Sequence, residues 1–157
     1  MKKVVKFGGS SLANAEQFQK VGDIIRSEES RRYVVPSAPG KRFSADTKVT
    51  DLLYACYDKA EAGEDFSDIL TEIKNRFYEI IKGLNLDLSL EEEFRQIEAD
   101  FKAHAGNEYA ASRGEFLNGK VMAAYLGYEF IDSATVIRFD KNGNFDADKT
   151  DKLLAKR

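Results

Sequence analysis

Near the amino terminus, a lysine precedes two glycines and two serines in the segment Lys-Phe-Gly-Gly-Ser-Ser, residues 6–11. Because glycine has no Cβ, Gly8 and Gly9 allow a ligand to approach the backbone closely. Exposed amides at a helix start attract phosphate oxygens, and Lys6 adds a full positive charge. The segment matches neither a Walker A loop nor a Gly-x-Gly-x-x-Gly motif. The pattern alone leaves two interpretations open: an anion cradle, or a tight strand-to-helix turn with a surface lysine.

The elements around this segment predict where it lies in the fold. Residues 3–7 predict a short buried strand, residues 13–27 carry helical apolar spacing, and residues 32–37 predict a second strand. A strand, a glycine turn, a helix and a strand indicate a βαβ unit with parallel strands. Because ligands bind beyond the carboxyl ends of such strands, residues 6–11 and 37–40 are expected to share a site.

Helical apolar spacing dominates the middle of the chain. It begins at Val49, continues through a long helical region with a break near residues 83–88, and covers residues 108–126 before Gly127. Alternating strands and helices favour an α/β sandwich, and no linker divides the chain into two domains.

The last thirty residues predict further short elements. Residues 128–132 and 136–139 predict a third and a fourth strand, because apolar residues recur between turn signals. The segment Lys-Asn-Gly-Asn, residues 141–144, predicts a turn, and residues 146–157 predict the start of a helix.

Composition excludes several classes of protein. The chain has 157 residues, of which 43% are hydrophobic, and this suits one domain with one core. Charged residues make up 32% but nearly balance to a net charge of −3, so no electrostatic reason favours a nucleic-acid or membrane partner. The single cysteine, Cys56, cannot form an internal disulfide and fits a reducing compartment. With no signal-peptide pattern or membrane-spanning stretch, we expect a soluble cytoplasmic protein.

Four segments, in order, resemble the aspartate kinases, which have the amino-acid kinase fold. They are residues 6–11, residues 34–40 (Val-Val-Pro-Ser-Ala-Pro-Gly), residues 49–53 (Val-Thr-Asp-Leu-Leu) and residues 112–115 (Ser-Arg-Gly-Glu). The resemblance implies a three-layer αβα sandwich of the carbamate kinase-like type, here with a helical insertion. It also implies transfer of the γ-phosphoryl of ATP to the side-chain carboxylate of L-aspartate, giving 4-phospho-L-aspartate for lysine, threonine and methionine biosynthesis.

The resemblance also assigns roles to individual residues. Lys6 would be catalytic and neutralise the transferring phosphoryl group. The residues implied to bind the ATP phosphates are Lys6, Phe7, Gly8, Gly9 and Ser10. The residues implied to bind aspartate are Ser37, Ala38, Thr50 and Glu115. Magnesium would arrive with the nucleotide, no dedicated metal site is visible, and the intact enzyme is expected to be a homo-oligomer.

Simpler interpretations exist for these residues and for the whole chain. Thr50 is also suited to cap a helix, and Glu115 to be a solvated helix residue. Cys56 and His104 are expected to be structural, in the core and at a helix end. Another amino-acid kinase, acting on glutamate or acetylglutamate, is an alternative, although the long helical middle and the Ser-Arg-Gly-Glu segment favour the aspartate enzyme. A non-catalytic small-molecule-binding module is the other alternative.

The resemblance covers only part of the family's architecture. Residues 1–157 correspond to the N-terminal, amino-acid-binding part of the catalytic domain. The nucleotide-binding half and the ACT regulatory domains have no counterpart. The chain is therefore expected to be truncated and to be inactive alone.

Overall fold

The computed structural model describes residues 1–156. Two parallel strands, β1 (Lys3–Phe7) and β2 (Arg31–Pro36), form the sheet. They are connected by a 3-10 turn and by helix α1 (Ala15–Arg26). Helix α1 begins where Asn14 accepts a hydrogen bond from the Gln17 amide at 3.0 Å, so Asn14 caps the helix. The predicted βαβ unit is confirmed.

Four helices form most of the core: α2 (Val49–Glu61), α3 (Ser67–Gly83), α4 (Glu91–Lys102) and α5 (Asn107–Leu126). Helix α2 packs against the other three, and α5 also contacts β2. Helix α5 is terminated by Gly127, the residue after Leu126, which has the left-handed φ of 71° that glycine adopts without strain. Among residues 1–156, no helix combines the length and the apolar character needed to cross a membrane.

The sheet has two different faces in the described part of the chain. Val5 and Phe7 pack against the core, as does Val34 on the neighbouring strand. Val4 lies on the opposite face and is 68% exposed, beside its strand partner Tyr33. The prediction of a buried strand at residues 3–7 is therefore wrong in this part of the structure, since only alternate residues of β1 are packed, and those only partly.

The third and fourth predicted strands, at residues 128–132 and 136–139, do not form. The short helix α6 (Ser133–Val136) lies between these two segments and includes Val136, and the side chain of Asp132 caps its first turn. Phe130 packs its ring edge-on against Phe116 of α5, so this apolar residue is used without strand pairing. A single antiparallel bridge joins Phe139 to Phe145 before helix α7 (Ala147–Leu154).

Candidate functional site

The carboxyl ends of β1 and β2 bring two loops into direct backbone contact. The Ser37 amide donates to the Phe7 carbonyl at 3.0 Å, and the Gly40 amide donates to the Gly9 carbonyl at 2.8 Å. A Cβ on Gly9 would lie 2.9 Å from the Ala38 carbonyl oxygen, and one on Gly40 would lie 2.5 Å from the Gly9 carbonyl carbon. Both positions therefore require glycine for packing alone, whatever ligand binds beside them.

Gly8 differs from its neighbour. A Cβ on Gly8 would meet nothing within 4 Å, and its φ of −77° is one that any residue adopts. The protein's own packing therefore does not explain a glycine at this position. Open space over the backbone is what close approach of a phosphate group requires.

A cavity of about 440 Å³ opens beside these loops. Its wall contains six of the residues that the sequence predicts for the site, together with one proline, one further glycine and two lysines. The lining residues are Gly9, Ser10, Ser37, Ala38, Pro39, Gly40, Lys41, Lys48, Thr50 and Glu115. The structure thus brings residues from both strand ends, from the start of α2 and from α5 to one place.

Three predicted residues do not form part of the cavity wall: Lys6, Phe7 and Gly8. Lys6 is still adjacent to the site, because its Nζ donates a hydrogen bond to the Ser37 hydroxyl at 3.4 Å. Phe7 packs its ring against the core, while its carbonyl accepts from the Ser37 amide. The contribution of Phe7 is therefore through its backbone, at the point where the two strands end together.

Helix α5 reaches the loop after β2 through two side chains on the same face. Glu115 accepts a hydrogen bond from the Ala38 amide at 3.1 Å, and Asn118 donates from Nδ2 to the Ser37 carbonyl at 2.7 Å. A Cβ on Gly114 would lie 2.6 Å from the Cβ of Ala38, so a glycine lets the helix approach this closely. Glu115 and Asn118 are three positions apart, the spacing that places side chains on one helix face.

The charges around the cavity favour an anionic ligand. Lys41 and Lys48 lie on the wall together with one carboxylate, Glu115, and Lys6 is close by. The ion pairs within residues 1–156 include none of these three lysines. Lys6 and Lys41 donate only to neutral oxygens at 3.4 Å, the Ser37 hydroxyl and the Ser44 carbonyl, so their charges are available to a ligand. One carboxylate among several ammonium groups suits a ligand with more than one anionic group and a single cationic group.

Sequence reasoning missed Asn118, Lys41, Lys48 and a buried ion pair below the loop. Arg76 of α3 is 2% exposed, and its Nη1 lies 3.3 Å from Oδ2 of Asp46. Hydrogen bonds from Arg42 hold the pKa of Asp46 well below its usual range. Arg76 follows Ile73 by three positions on the buried face of α3, and that spacing was the available signal.

Cys56 and His104, which were expected to be structural, lie in the core and at a helix end. Cys56 is buried on α2, and burial raises the pKa of its thiol to about 12, so the thiol stays neutral and unreactive. His104 has a left-handed φ of 58° just after the end of α4, where its amide donates to the Phe101 carbonyl. Among residues 1–156, no group of three or more His, Cys, Asp or Glu side chains is arranged to hold a metal ion.

Comparisons with known proteins agree with the resemblance seen in the sequence. A family model described as the amino acid kinase family matches residues 1–157. Aspartokinase 3 of Bacillus subtilis is 39% identical over 141 residues, which cover 85% of this chain and 31% of that protein.

Solved structures share the fold. The crystal structure of Clostridium acetobutylicum aspartate kinase matches with a TM-score of 0.93 and 46% identity, over 98% of this chain and 35% of that chain. The crystal structure of E. coli aspartokinase III in complex with aspartate and ADP matches with a TM-score of 0.79, over 100% of this chain and 37% of that chain. At 24% sequence identity, this match supports the fold alone.

These matches confirm the predicted amino-acid kinase fold and the similarity to aspartokinases. The chain spans about a third of the length of the relatives that it matches. It belongs to the amino acid kinase family.

Proposed function

We propose that residues 1–157 form the N-terminal, amino-acid-binding part of an aspartate kinase catalytic domain. In the complete protein, the γ-phosphoryl of ATP would be transferred to the side-chain carboxylate of L-aspartate, giving 4-phospho-L-aspartate. The observation that carries the proposal is the position of Thr50 and Glu115 in one cavity with the Ser37–Ala38 loop, beside Lys6. The nucleotide-binding half and the ACT regulatory domains would lie outside this chain.

Aspartate would bind between α5 and the start of α2. The Glu115 carboxylate would hold the α-ammonium group, since this pairing of opposite charges is the strongest contact available to that group here. The Thr50 hydroxyl and the Ser37 hydroxyl would donate to substrate carboxylate oxygens. The Ala38 backbone, already bonded to Glu115, would fix the orientation of that carboxylate.

The phosphoryl group would lie on the side of the glycine segment. Lys6 would neutralise charge there, and the open backbone at Gly8, with Gly9, Ser10 and Phe7, would approach the phosphate oxygens. ATP, with Mg²⁺ bound to its phosphates, would supply the phosphoryl group. Because a carboxylate and a phosphate repel each other, positioning and charge neutralisation would provide most of the catalysis.

The remaining expectations rest on the same assignment. The relatives named above at 39% and 46% identity are both aspartate kinases. That pattern supports aspartate over glutamate or acetylglutamate as the substrate. A homo-oligomeric, cytoplasmic enzyme of lysine, threonine and methionine biosynthesis is the corresponding proposal for the complete protein.

A coupled assay of ADP formation tests the proposal. The full-length natural protein is supplied with Mg-ATP and, separately, with L-aspartate, L-glutamate and N-acetyl-L-glutamate. We expect ADP formation that depends on aspartate and falls at least ~10-fold in kcat/KM for Glu115→Gln, the effect of losing one charge-assisted contact. Glu108→Gln, at the start of the same helix, is the matched control and should retain wild-type rates.

Turnover of glutamate or acetylglutamate in preference to aspartate would contradict the substrate assignment. A protein that binds L-aspartate but forms no ADP with any of the three substrates would instead be a binding module.

A further inference from the structure

An irregular segment connects β2 to α2 and carries two lysines of the cavity wall. Residues 40–48 form neither helix nor strand, and Lys41 and Lys48 stand near the two ends of the segment. Both lysines are exposed. A long ammonium-bearing side chain has many rotamers, so its effective position depends on how firmly the backbone beneath it is held.

The buried guanidinium of Arg76 holds both ends of this segment. Its Nη2 donates to the Gly40 carbonyl at 2.6 Å, and its Nη1 donates to the Thr47 carbonyl at 2.8 Å. These are the carbonyls immediately before Lys41 and Lys48. One planar, forked group therefore fixes the backbone just before each lysine, a task suited to arginine and not to lysine.

A second pair of charges supports Arg76. Asp46 lies 3.3 Å from Arg76 and accepts from the Arg42 amide at 2.8 Å and from its Nε at 2.9 Å. Arg42 in turn donates to Glu79 of α3 at 2.9 Å. The segment is thus bonded to α3 at its two ends and through its interior.

Core packing alone does not account for Arg76. Its Nε is buried and has no hydrogen-bond partner within residues 1–156. An apolar side chain at this place on α3 would avoid that unsatisfied group and the desolvation of a charge. No residue of α3 lines the cavity, so Arg76 does not contact a ligand there, and its hydrogen bonds reach the cavity wall through the segment that it holds.

We propose that Arg76 is a positioning residue of the substrate site, which sets Lys41 and Lys48 as the anion-binding edge of the cavity. This inference rests on the proposed function and deepens it. The two lysines add positive charge to the cavity wall that also contains Thr50, in the first turn of α2. This charge favours a ligand with two carboxylates. Arg76 acts without touching the ligand.

A double-mutant cycle in the full-length protein tests this coupling. The variants are Arg76→Lys, Lys48→Met and the two combined, and the readouts are KM for aspartate, kcat and Tm. Each single variant should raise KM about tenfold, whereas the double variant should raise it by no more than ~3-fold beyond either single variant, because both act on the same contact. The fall in kcat should be smaller than the rise in KM.

Two controls separate positioning from loss of stability. Ile97→Ala on α4 removes buried apolar volume away from the cavity and should lower Tm without changing KM. Arg42 is partly exposed, so the Arg42→Gln variant should remain folded while Asp46 loses a partner. The variant should raise KM by ~2–3-fold when Lys48 is present, and should leave KM unchanged when it is combined with Lys48→Met.

The outcomes distinguish this inference from the proposed function. If Arg76→Lys lowers Tm but leaves KM unchanged, or if the effects of the two substitutions multiply, Arg76 is structural and the inference fails while the kinase assignment stands. If the wild-type protein prefers another carboxylate substrate, the aspartate assignment fails and the same cycle, run with that substrate, decides the role of Arg76. A wild-type protein without any turnover contradicts both.

Discussion

Glu115 and Ala38 are 77 positions apart in the sequence, yet the Glu115 carboxylate accepts a hydrogen bond from the Ala38 amide at 3.1 Å. This bond ties α5 to the loop after β2. It uses one oxygen of the carboxylate and leaves the other for a ligand. The contact therefore links the positioning of the loop to the proposed recognition of the substrate ammonium group.

Replacing Glu115 should separate these two roles. Glu115→Gln keeps an oxygen that can accept from the Ala38 amide, so we expect Tm to change by no more than ~2 °C. Glu115→Ala removes the acceptor and should lower the free energy of unfolding by ~1 kcal/mol. Both variants remove the negative charge and should raise KM for aspartate. Urea denaturation and steady-state kinetics on the same preparations provide the measurement, and equal stability losses in the two variants would contradict the structural role.

The glycines of the site should respond in opposite ways to alanine. Gly40→Ala places a Cβ 2.5 Å from the Gly9 carbonyl carbon and should destabilise the protein by ~1–3 kcal/mol. Gly8→Ala meets no atom within 4 Å and should leave the free energy of unfolding unchanged or slightly raised. If phosphate oxygens approach Gly8, Gly8→Ala should nevertheless raise KM for ATP. An unchanged KM for ATP would remove Gly8 from the phosphate site.

Asp46 should make the protein sensitive to acid. Hydrogen bonds from Arg42 hold the pKa of Asp46 well below its usual range, so its stabilising contribution is complete above the unfolded-state pKa of about 3.9. The contribution is lost as pH falls through the lower folded-state pKa. Asp46→Asn should cost ~1–3 kcal/mol at pH 7 and flatten the decline in stability below about pH 4. Denaturation curves from pH 2 to 7 test this, and parallel curves for both proteins would contradict it.

Cys56 should not react with a thiol reagent in the native protein. Burial raises the pKa of this thiol to about 12, so iodoacetamide at pH 8 should label it only after the protein unfolds. Because the pKa of the Cys56 thiol is raised in the folded state, its contribution to the free energy of unfolding is complete below the unfolded-state pKa of about 8.5. That contribution is lost as pH rises towards 12. Peptide mass spectrometry with and without urea is the measurement, and rapid labelling of native protein would show that the thiol is accessible.

Local patterns predicted much of the fold. The βαβ unit follows from two apolar segments around a glycine turn and an amphipathic helix, and all of these signals lie between the start of β1 and the end of β2. Residues 128–139 were predicted wrongly because a strand needs a partner, and apolar spacing does not reveal whether one is near. There, Phe130 packs on Phe116 and Asp132 caps a short helix.

Some residues at the candidate site were predicted from the sequence and others were missed, for a related reason. Thr50 and Glu115 were assigned to the site through the resemblance, since their spacing carries no signal of its own, and both line the cavity. Arg76 was missed because a charged residue at a buried helix position indicates that a partner exists, but not that the partners are the Gly40 and Thr47 carbonyls. Such contacts depend on the path of an irregular loop, which helical periodicity does not describe.

The most direct test of the central claim uses calorimetry of L-aspartate and of succinate, which has the same two carboxylates but no ammonium group. Both ligands are titrated into the full-length wild-type protein and into Glu115→Gln. If Glu115 holds the substrate ammonium, the substitution should weaken aspartate binding by at least ~10-fold and leave succinate binding unchanged or improved. An equal loss of affinity for the two ligands, or no loss for aspartate, would contradict the account.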